Sequence, residues 1–458
     1  MEKGNKRVVK GWIFYDWANS VYNLVISSAI FPVFYANVTE SHYLKTVGRD
    51  KLLPGENVMV EFFGFTLSNS VLFSYVLAAS FLLVSILSPL LSGVADVTGS
   101  KKRFMQFFCY LGSFASISLF WFSPDHIEWG MLSIFLASMG FWNSLVFYNA
   151  FLPEIAEPKD HDNISARGFS MGYFGSMILL VICLSIIMLG DPAYTKYSFV
   201  LVGLWWMGFA QVTFRRLPHN VNKKAVKSGR IFKGVVELKR VFNEFRQTKR
   251  LKRYLLSFFF FNTGVQTVML MAVVFAKKEI DWGEAGGDAG LIVAILLIQI
   301  LGAGGAYLMS YISSLIGNLR TLIFVVIGWM ILCIWAYWLQ SPTEFYFLAA
   351  GIGLVMGGVQ ALSRSTYSKF LPTTDNHASY FSFYDVAEKI GIVLGLFFFG
   401  LMEYLTGNLR ASVLSIVAFF AIGLVLLIFV PRKESAKGRK VLIASRLAAL
   451  KAKEGLGE

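Results

Sequence analysis

The chain has 458 residues, 56% of them hydrophobic, 16% aromatic and only 15% charged, whereas soluble domains carry about 25% charged residues. The formal net charge of +14 is confined: residues 215–253 carry +12 and residues 432–458 carry +5, leaving −3 elsewhere. This excludes an ordinary soluble enzyme and gives no support to nucleic-acid binding, since no recognition fold follows either basic segment; it points to a helical membrane protein whose basic segments meet anionic lipid headgroups.

A helix needs about 20 residues to cross a bilayer. Apolar runs of that order fall at 12–36, 68–93, 104–123, 130–152, 168–190, 196–214, 254–276, 289–315, 320–340, 344–367, 379–404 and 409–430. Those are twelve spans in an all-α polytopic protein, six on each side of the basic segment. The implied units are a first bundle (1–214), a basic linker (215–253), a second bundle (254–431) and a basic tail (432–458). The start, MEKGNKRVVKGW, is basic like a signal peptide. The run behind it is too long, contains Asp16 and lacks a small-x-small cleavage site, so it reads as an uncleaved first span. With twelve spans, 34 Lys/Arg fall on the side of the termini and seven on the other. The positive-inside rule therefore puts both termini in the cytoplasm.

Span one contains FYDWANSVYN, in which Asp16, Asn19 and Asn23 share one helical face, extended by Ser20 and Ser27. A polar stripe on an apolar span should face the bundle interior. It reads as a substrate path near the cytoplasmic mouth or, alternatively, as an interhelical brace.

The loop after span two reads SPLLSGVADVTGSKKRF. Ala95, Asp96, Gly99 and Lys101, with Lys102 and Arg103 extending the cluster, resemble the signature of the major facilitator superfamily. Ser92 and Val94 depart from its consensus glycine and leucine. The resemblance implies two pseudo-symmetric six-helix bundles around a central cavity, a monomer, and an Asp96 that meets the start of span eleven and locks the cytoplasmic side. Gly99 permits the tight turn, and Lys101 to Arg103 are expected at the headgroups. The second-half loop, SYISSLIGNLR, keeps Gly317 and Arg320 but has Ser314 where the acid would be.

Span four ends SLVFYNAFLP and span ten ends SRSTYSKFLP, so that Ser144/Ser363, Tyr148/Tyr367 and two Phe-Leu-Pro triplets coincide, as duplication would produce. Asn143 on span four, Asn262 and Gln266 on span seven, and Gln360 on span ten are further mid-depth hydrogen-bonding candidates. Span five carries GFSMG (168–172), which matches the G-x-S-x-G pattern of serine hydrolases. All five histidines are expected in loops, which leaves Ser170 without a base. The GxxxG pairs Gly168/Gly172, Gly353/Gly357 and Gly391/Gly395 favour close helix packing. In the linker, Ile231, Val235, Leu238, Phe242 and Phe245 form an apolar stripe suited to the leaflet surface or the bundle base. Ile443, Leu447 and Leu450 make a shorter one.

Spans ten and eleven bring Arg364, Asp385, Glu388 and Lys389, with Asp385 and Lys389 at i, i+4. With Asp16 this makes three carboxylates against two cations, so one acid is expected without a partner and able to carry a proton, Asp16 first and Glu388 second. A salt-bridge gate that only opens and closes is the alternative. YDWANS in span one, with Phe31-Pro32 beyond it, and QALSRSTYSKFLP leading into FSFYDVAEK resemble the vacuole effluxer family over both halves. That resemblance implies a secondary transporter of small solutes, with amino acids favoured and export a possible direction, in the cell membrane of a bacterium. An uncoupled facilitator, a sensor and an intramembrane hydrolase are the alternatives. No metal-binding or nucleotide motif occurs, so no cofactor is expected; Cys109, Cys183 and Cys333 read as core residues.

Overall fold

The computed structural model describes residues 3–53, 56–218, 230–282 and 287–434, with Gly438, Lys440 and Ile443 of the tail. The first six spans are Lys6–Val47, Asn69–Thr98, Lys101–Ser118, Ile127–Asn149, His161–Leu189 and Thr195–Arg216. The second six are Lys249–Glu279, Gly287–Ile316, Asn318–Trp338, Pro342–Phe370, His377–Thr406 and Leu409–Ile428. Eleven of these are apolar and long enough to cross a membrane by composition alone. Span eleven is 30 residues long but carries Asp385, Glu388 and Lys389, so its charges must turn inward.

Most helices outrun their apolar runs, because Lys and Arg stems carry a helix end into water. Span seven begins at Lys249 rather than 254, inside the expected linker. Span one is a single 42-residue rod, interrupted by a π-helical stretch at Tyr22–Ile30. The wider turn changes which side chains share a face: Ser28, not the expected Ser27, reaches the interior cavity, and its hydroxyl donates to the Asn23 carbonyl at 2.9 Å. Between spans one and two lies a β-hairpin, Met59–Phe62 with Phe65–Ser68, that hydropathy did not reveal.

The halves meet through two symmetry-related pairings, span two on span eleven and span eight on span five. The two loops at this interface turn at Gly99 (φ +66°) and Gly317 (φ +89°), left-handed conformations that glycine adopts without strain. Between spans eight and ten, a methyl group on Gly357 would overlap the Gly302 carbonyl, so glycine sets this close approach.

The linker helix, Arg230–Gln247, lies against span two and the start of span eleven. Its buried face differs from the apolar stripe. Gly234, Val241 and Phe245 are buried, while Val235 and Phe242 are about two-fifths exposed. The reason is steric: Gly234 and Gly93 bring two backbones together, and this contact rotates the helix about its axis. Asn376, which precedes span eleven, and Tyr380 within it donate to Glu237 and Glu244 of the linker. The side chain of Ile231, together with Leu447 and Leu450, lies outside the described residues.

Candidate functional site

A cavity of about 210 Å³ lies between the halves, lined from spans one, four, five, seven, eight, ten and eleven. Of the predicted residues, Asp16, Asn19, Asn23, Asn262, Gln266, Gln360, Arg364 and Glu388 line it. Three do not. Asn143 is buried in the first bundle, its Nδ2 donating to the Met139 carbonyl. Asp385 and Lys389 are buried outside the lining, next to Glu388 along span eleven. The rest of the lining mixes polar side chains, Ser20, Asn149, Gln299 and Ser363 among them, with apolar ones such as Phe141, Trp142, Phe169 and Met269.

At the linker end of the cavity a clasp joins the halves. Arg364 of span ten, 3% exposed, places Nη2 at 3.2 Å from Asp16 Oδ2 of span one. Its Nε donates to Ser165 Oγ at 2.9 Å and Nη2 to the Ser165 carbonyl at 3.0 Å. Asn149 Oδ1 accepts a longer bond from Nη1 at 3.4 Å. Tyr148 donates its hydroxyl proton to Asp16 Oδ2 at 2.8 Å, and its ring stacks on Trp12. The guanidinium lies over the Phe169 ring at 4.1 Å. Asp16 is therefore not the unpaired acid that counting charges suggested, because a cation from the other half reaches it. Gly168 explains the fit: a methyl group there would overlap Asp16 Oδ2 and press on Arg364 Nη2.

Behind the cavity wall, Lys389 is fully buried between two carboxylates, Asp385 at 3.2 Å and Glu388 at 2.9 Å, with its Nζ 3.4 Å from the Trp142 ring centroid. Asp385 also accepts from Ser88 of the first half at 3.0 Å. Glu388 Oε1 accepts from Gln266 Nε2 at 2.8 Å. When all three ionise, this cluster carries one negative charge in excess, and Glu388 is its member at the cavity wall.

Beyond the clasp, toward the linker face, two further contacts lock the bundles. Asp96 accepts from the backbone N–H groups of Ala378 (3.3 Å) and Ser379 (2.7 Å) and from the Ser379 hydroxyl (2.7 Å) at the N-terminus of span eleven, where the helix dipole favours an anion. The second-half loop reverses the chemistry. The acid is Asp162 at the start of span five, and Ser313, Asn318 and Lys369 converge on it. The loop sequence carries no sign of this symmetric partner, because the acid stands not in the loop but on the helix that the loop meets.

The basic cluster departs from expectation. Only Arg103 is exposed, while Lys101 and Lys102 are buried, Lys101 paired with Glu154 and Lys102 donating to the Leu217 carbonyl. His42, His161 and His377 are also not in loops; His42 lies in the last turns of span one, the other two open spans five and eleven, and His377 Nδ1 meets Glu154 Oε1 at 3.0 Å. Ser170 donates to the Ala303 carbonyl at 2.8 Å, and no histidine bonds it among the described residues. The G-x-S-x-G match is thus a helix-packing element. Among the described residues, the hydrogen bonds and ion pairs that cross between the halves run from the cavity wall, where Tyr173 donates to Gln360, to the linker face.

This arrangement of two six-helix bundles around a polar cavity is the major facilitator fold. The human organic anion transporter MFSD10 superposes with a TM-score of 0.66 at 12% identity, over 93% of this chain and all of that one. The model of the vacuole effluxer Atg22-like family matches residues 4–440, and the chain belongs to that family. It is 28% identical over 445 residues to the MFS-type transporter YxiO of Bacillus subtilis, covering 93% of this chain and 95% of YxiO. It is 23% identical to autophagy-related protein 22-1 of Penicillium rubens, covering 93% and 90%. The protein is an integral membrane transporter, not an enzyme.

Proposed function

We propose that the chain is a proton-coupled secondary transporter that moves a small solute, amino acids being the favoured class and export the direction, by alternating access. The observation that carries this reading is a polar cavity between two bundles that, among the described residues, are cross-linked by hydrogen bonds and ion pairs from the cavity wall to the linker face. In this state the linker face is shut, and solute exchanges with the opposite face. Separating Asp16 from Arg364, Asp96 from span eleven and Asp162 from Lys369 would open the other route while the far ends close.

Glu388 is the coupling group in this scheme, and Asp16, held by Arg364, serves as a gate. A proton on Glu388 cancels the excess charge of the cluster and leaves Lys389 to Asp385 alone. That change weakens the hold of Asp385 on Ser88 of the other half. The linker face is cytoplasmic, as the Lys/Arg asymmetry supports, in the inner membrane of a bacterium. The exposed Lys239, Arg246 and Phe242 of the linker helix would meet anionic lipid. The chain works as a monomer, with units at about the boundaries given by its sequence, and has no nucleic-acid partner.

Reconstitution into proteoliposomes tests the scheme. An imposed pH gradient should drive radiolabelled amino-acid flux, and Glu388→Gln should leave exchange at equilibrium but abolish the response to the gradient. Flux that ignores the gradient in the wild type would make the protein a facilitator and remove Glu388 from this role.

A further inference from the structure

Spans one and seven occupy corresponding places in the two bundles, and each carries the same five-residue polar pattern at its cavity-lining turn. Span one reads Asn19-Ser20-Val21-Tyr22-Asn23, and span seven reads Asn262-Thr263-Gly264-Val265-Gln266. In both, an asparagine precedes a hydroxyl residue, and a second amide follows one helical turn later. All four amides line the cavity. The leading asparagines are buried, Asn19 at 1% and Asn262 at 6% exposure. Neither Nδ2 has a hydrogen-bond partner among the described residues.

Two buried amide donors without acceptors are expensive, and their symmetric placement argues against accident. The one guanidinium in the cavity cannot serve in their place, since Arg364 is committed to Asp16, Ser165 and Asn149. The buried amide donors left uncommitted on the wall are thus neutral and come one from each half, with the Ser363 hydroxyl, on the second half, a further group unpartnered among the described residues. Acceptors stand in the same cavity: the Glu388 carboxylate, and Gln299 Oε1, which is 8% exposed by residue and also lacks a partner among the described residues.

We infer that Asn19 and Asn262 form a two-donor seat for the carboxylate of the transported solute, with Glu388 and Gln299 receiving its ammonium group. This rests on the amino-acid reading above and deepens it. A carboxylate held by one donor from each bundle is gripped fully only while both bundles close on it, which ties solute binding to the rocking motion.

The test is calorimetric binding to the purified full chain of two probes, L-phenylalanine and 2-phenylethylamine, which lacks the carboxylate. Asn19→Ala and Asn262→Ala should each weaken L-phenylalanine about tenfold, and the pair about a hundredfold, as loss of hydrogen bonds to a charged group predicts. Binding of 2-phenylethylamine should not change. Asn262→Asp, nearly isosteric, should abolish L-phenylalanine binding yet keep 2-phenylethylamine, and Asn19→Ser or Asn262→Ser, too short to reach the same carboxylate, replaces an alanine variant at its own position if the unliganded melting temperature falls. If L-phenylalanine does not bind the wild type, the tightest binder among the twenty amino acids takes its place, with its decarboxylated amine as control. Unchanged amino-acid affinity in both alanine variants would overturn the seat alone. No binding of any amino acid by the wild type would overturn the cargo class and the seat with it.

Discussion

Replacing Arg364 with alanine should open the linker face rather than unfold the chain. Each hydrogen bond and ion pair that its guanidinium makes, to Asp16, Ser165 and Asn149, crosses from the second half to the first. The loss therefore falls on the closed arrangement and not on either bundle alone. Breaking a buried ion pair while leaving its partner in place costs about 3–5 kcal/mol. At about 1.4 kcal/mol per tenfold change, that is about two to three and a half decades in the ratio of closed to open forms. Arg364→Lys keeps the charge but cannot span Asp16 and Ser165 together, so it should fall between. Spin labels on cysteines at Arg103 and Arg320, exposed at the linker face on opposite halves, would report the change by pulsed dipolar spectroscopy. The buried Cys109, Cys183 and Cys333 would first be replaced by alanine. A single short-distance population should give way to a longer one in Arg364→Ala. An unchanged distribution would refute the gate reasoning.

The same labels test Gly168→Ala, whose methyl group would wedge between Asp16 and Arg364; a cost of about 1–3 kcal/mol against the closed form should give partial opening with an unaltered helical spectrum. Ser88→Ala should cost about 1 kcal/mol of closure by removing the donor to Asp385, seen as a smaller shift in the same distances. At the opposite face, Glu56 is held by Arg49, the Leu53 amide and Tyr43, with its pKa lowered to about 2, the bond to Arg49 contributing most. A carboxylate held below its unfolded value stabilises the loop fully above about pH 4.5 and loses that contribution as pH falls toward 2. Pepsin cleavage near Leu53 should thus rise between those limits in the wild type, while Glu56→Gln is cleaved at every pH in that range.

Much of the scaffold was legible because hydrocarbon imposes simple rules: span number, helical class and the inward-facing stripe at Asp16 all follow from satisfying polar groups in lipid. The i, i+4 pair of Asp385 and Lys389 was legible because helical spacing alone determines it. What required coordinates was contact between distant segments. Asp16 and Arg364 lie 348 positions apart, and counting charges could not say which acid would find the arginine. The π-helical turn that exchanges Ser28 for Ser27 has no hydropathy signal, and the hairpin at Met59–Ser68 is too short for one. In the linker, two glycines in backbone contact outweighed an apolar stripe, a preference that composition conceals. The repeated amide pattern of spans one and seven was present in the letters. Its meaning comes from the fold, which places both Asn19 and Asn262 on the lining of one cavity.

The most direct test of the central claim needs no knowledge of the cargo. Val273→Cys, on the cavity wall, can be probed with a membrane-impermeant maleimide applied to one face of the membrane at a time. In the otherwise unaltered gate, labelling should be fast from the face opposite the linker and slow from the linker side. Removing the cross-links, with Asp96→Ala, Asp162→Ala and Arg364→Ala together, should reverse that ratio. A cysteine that reacts from neither face in either form, or equally fast from both, would contradict a cavity served by one route at a time.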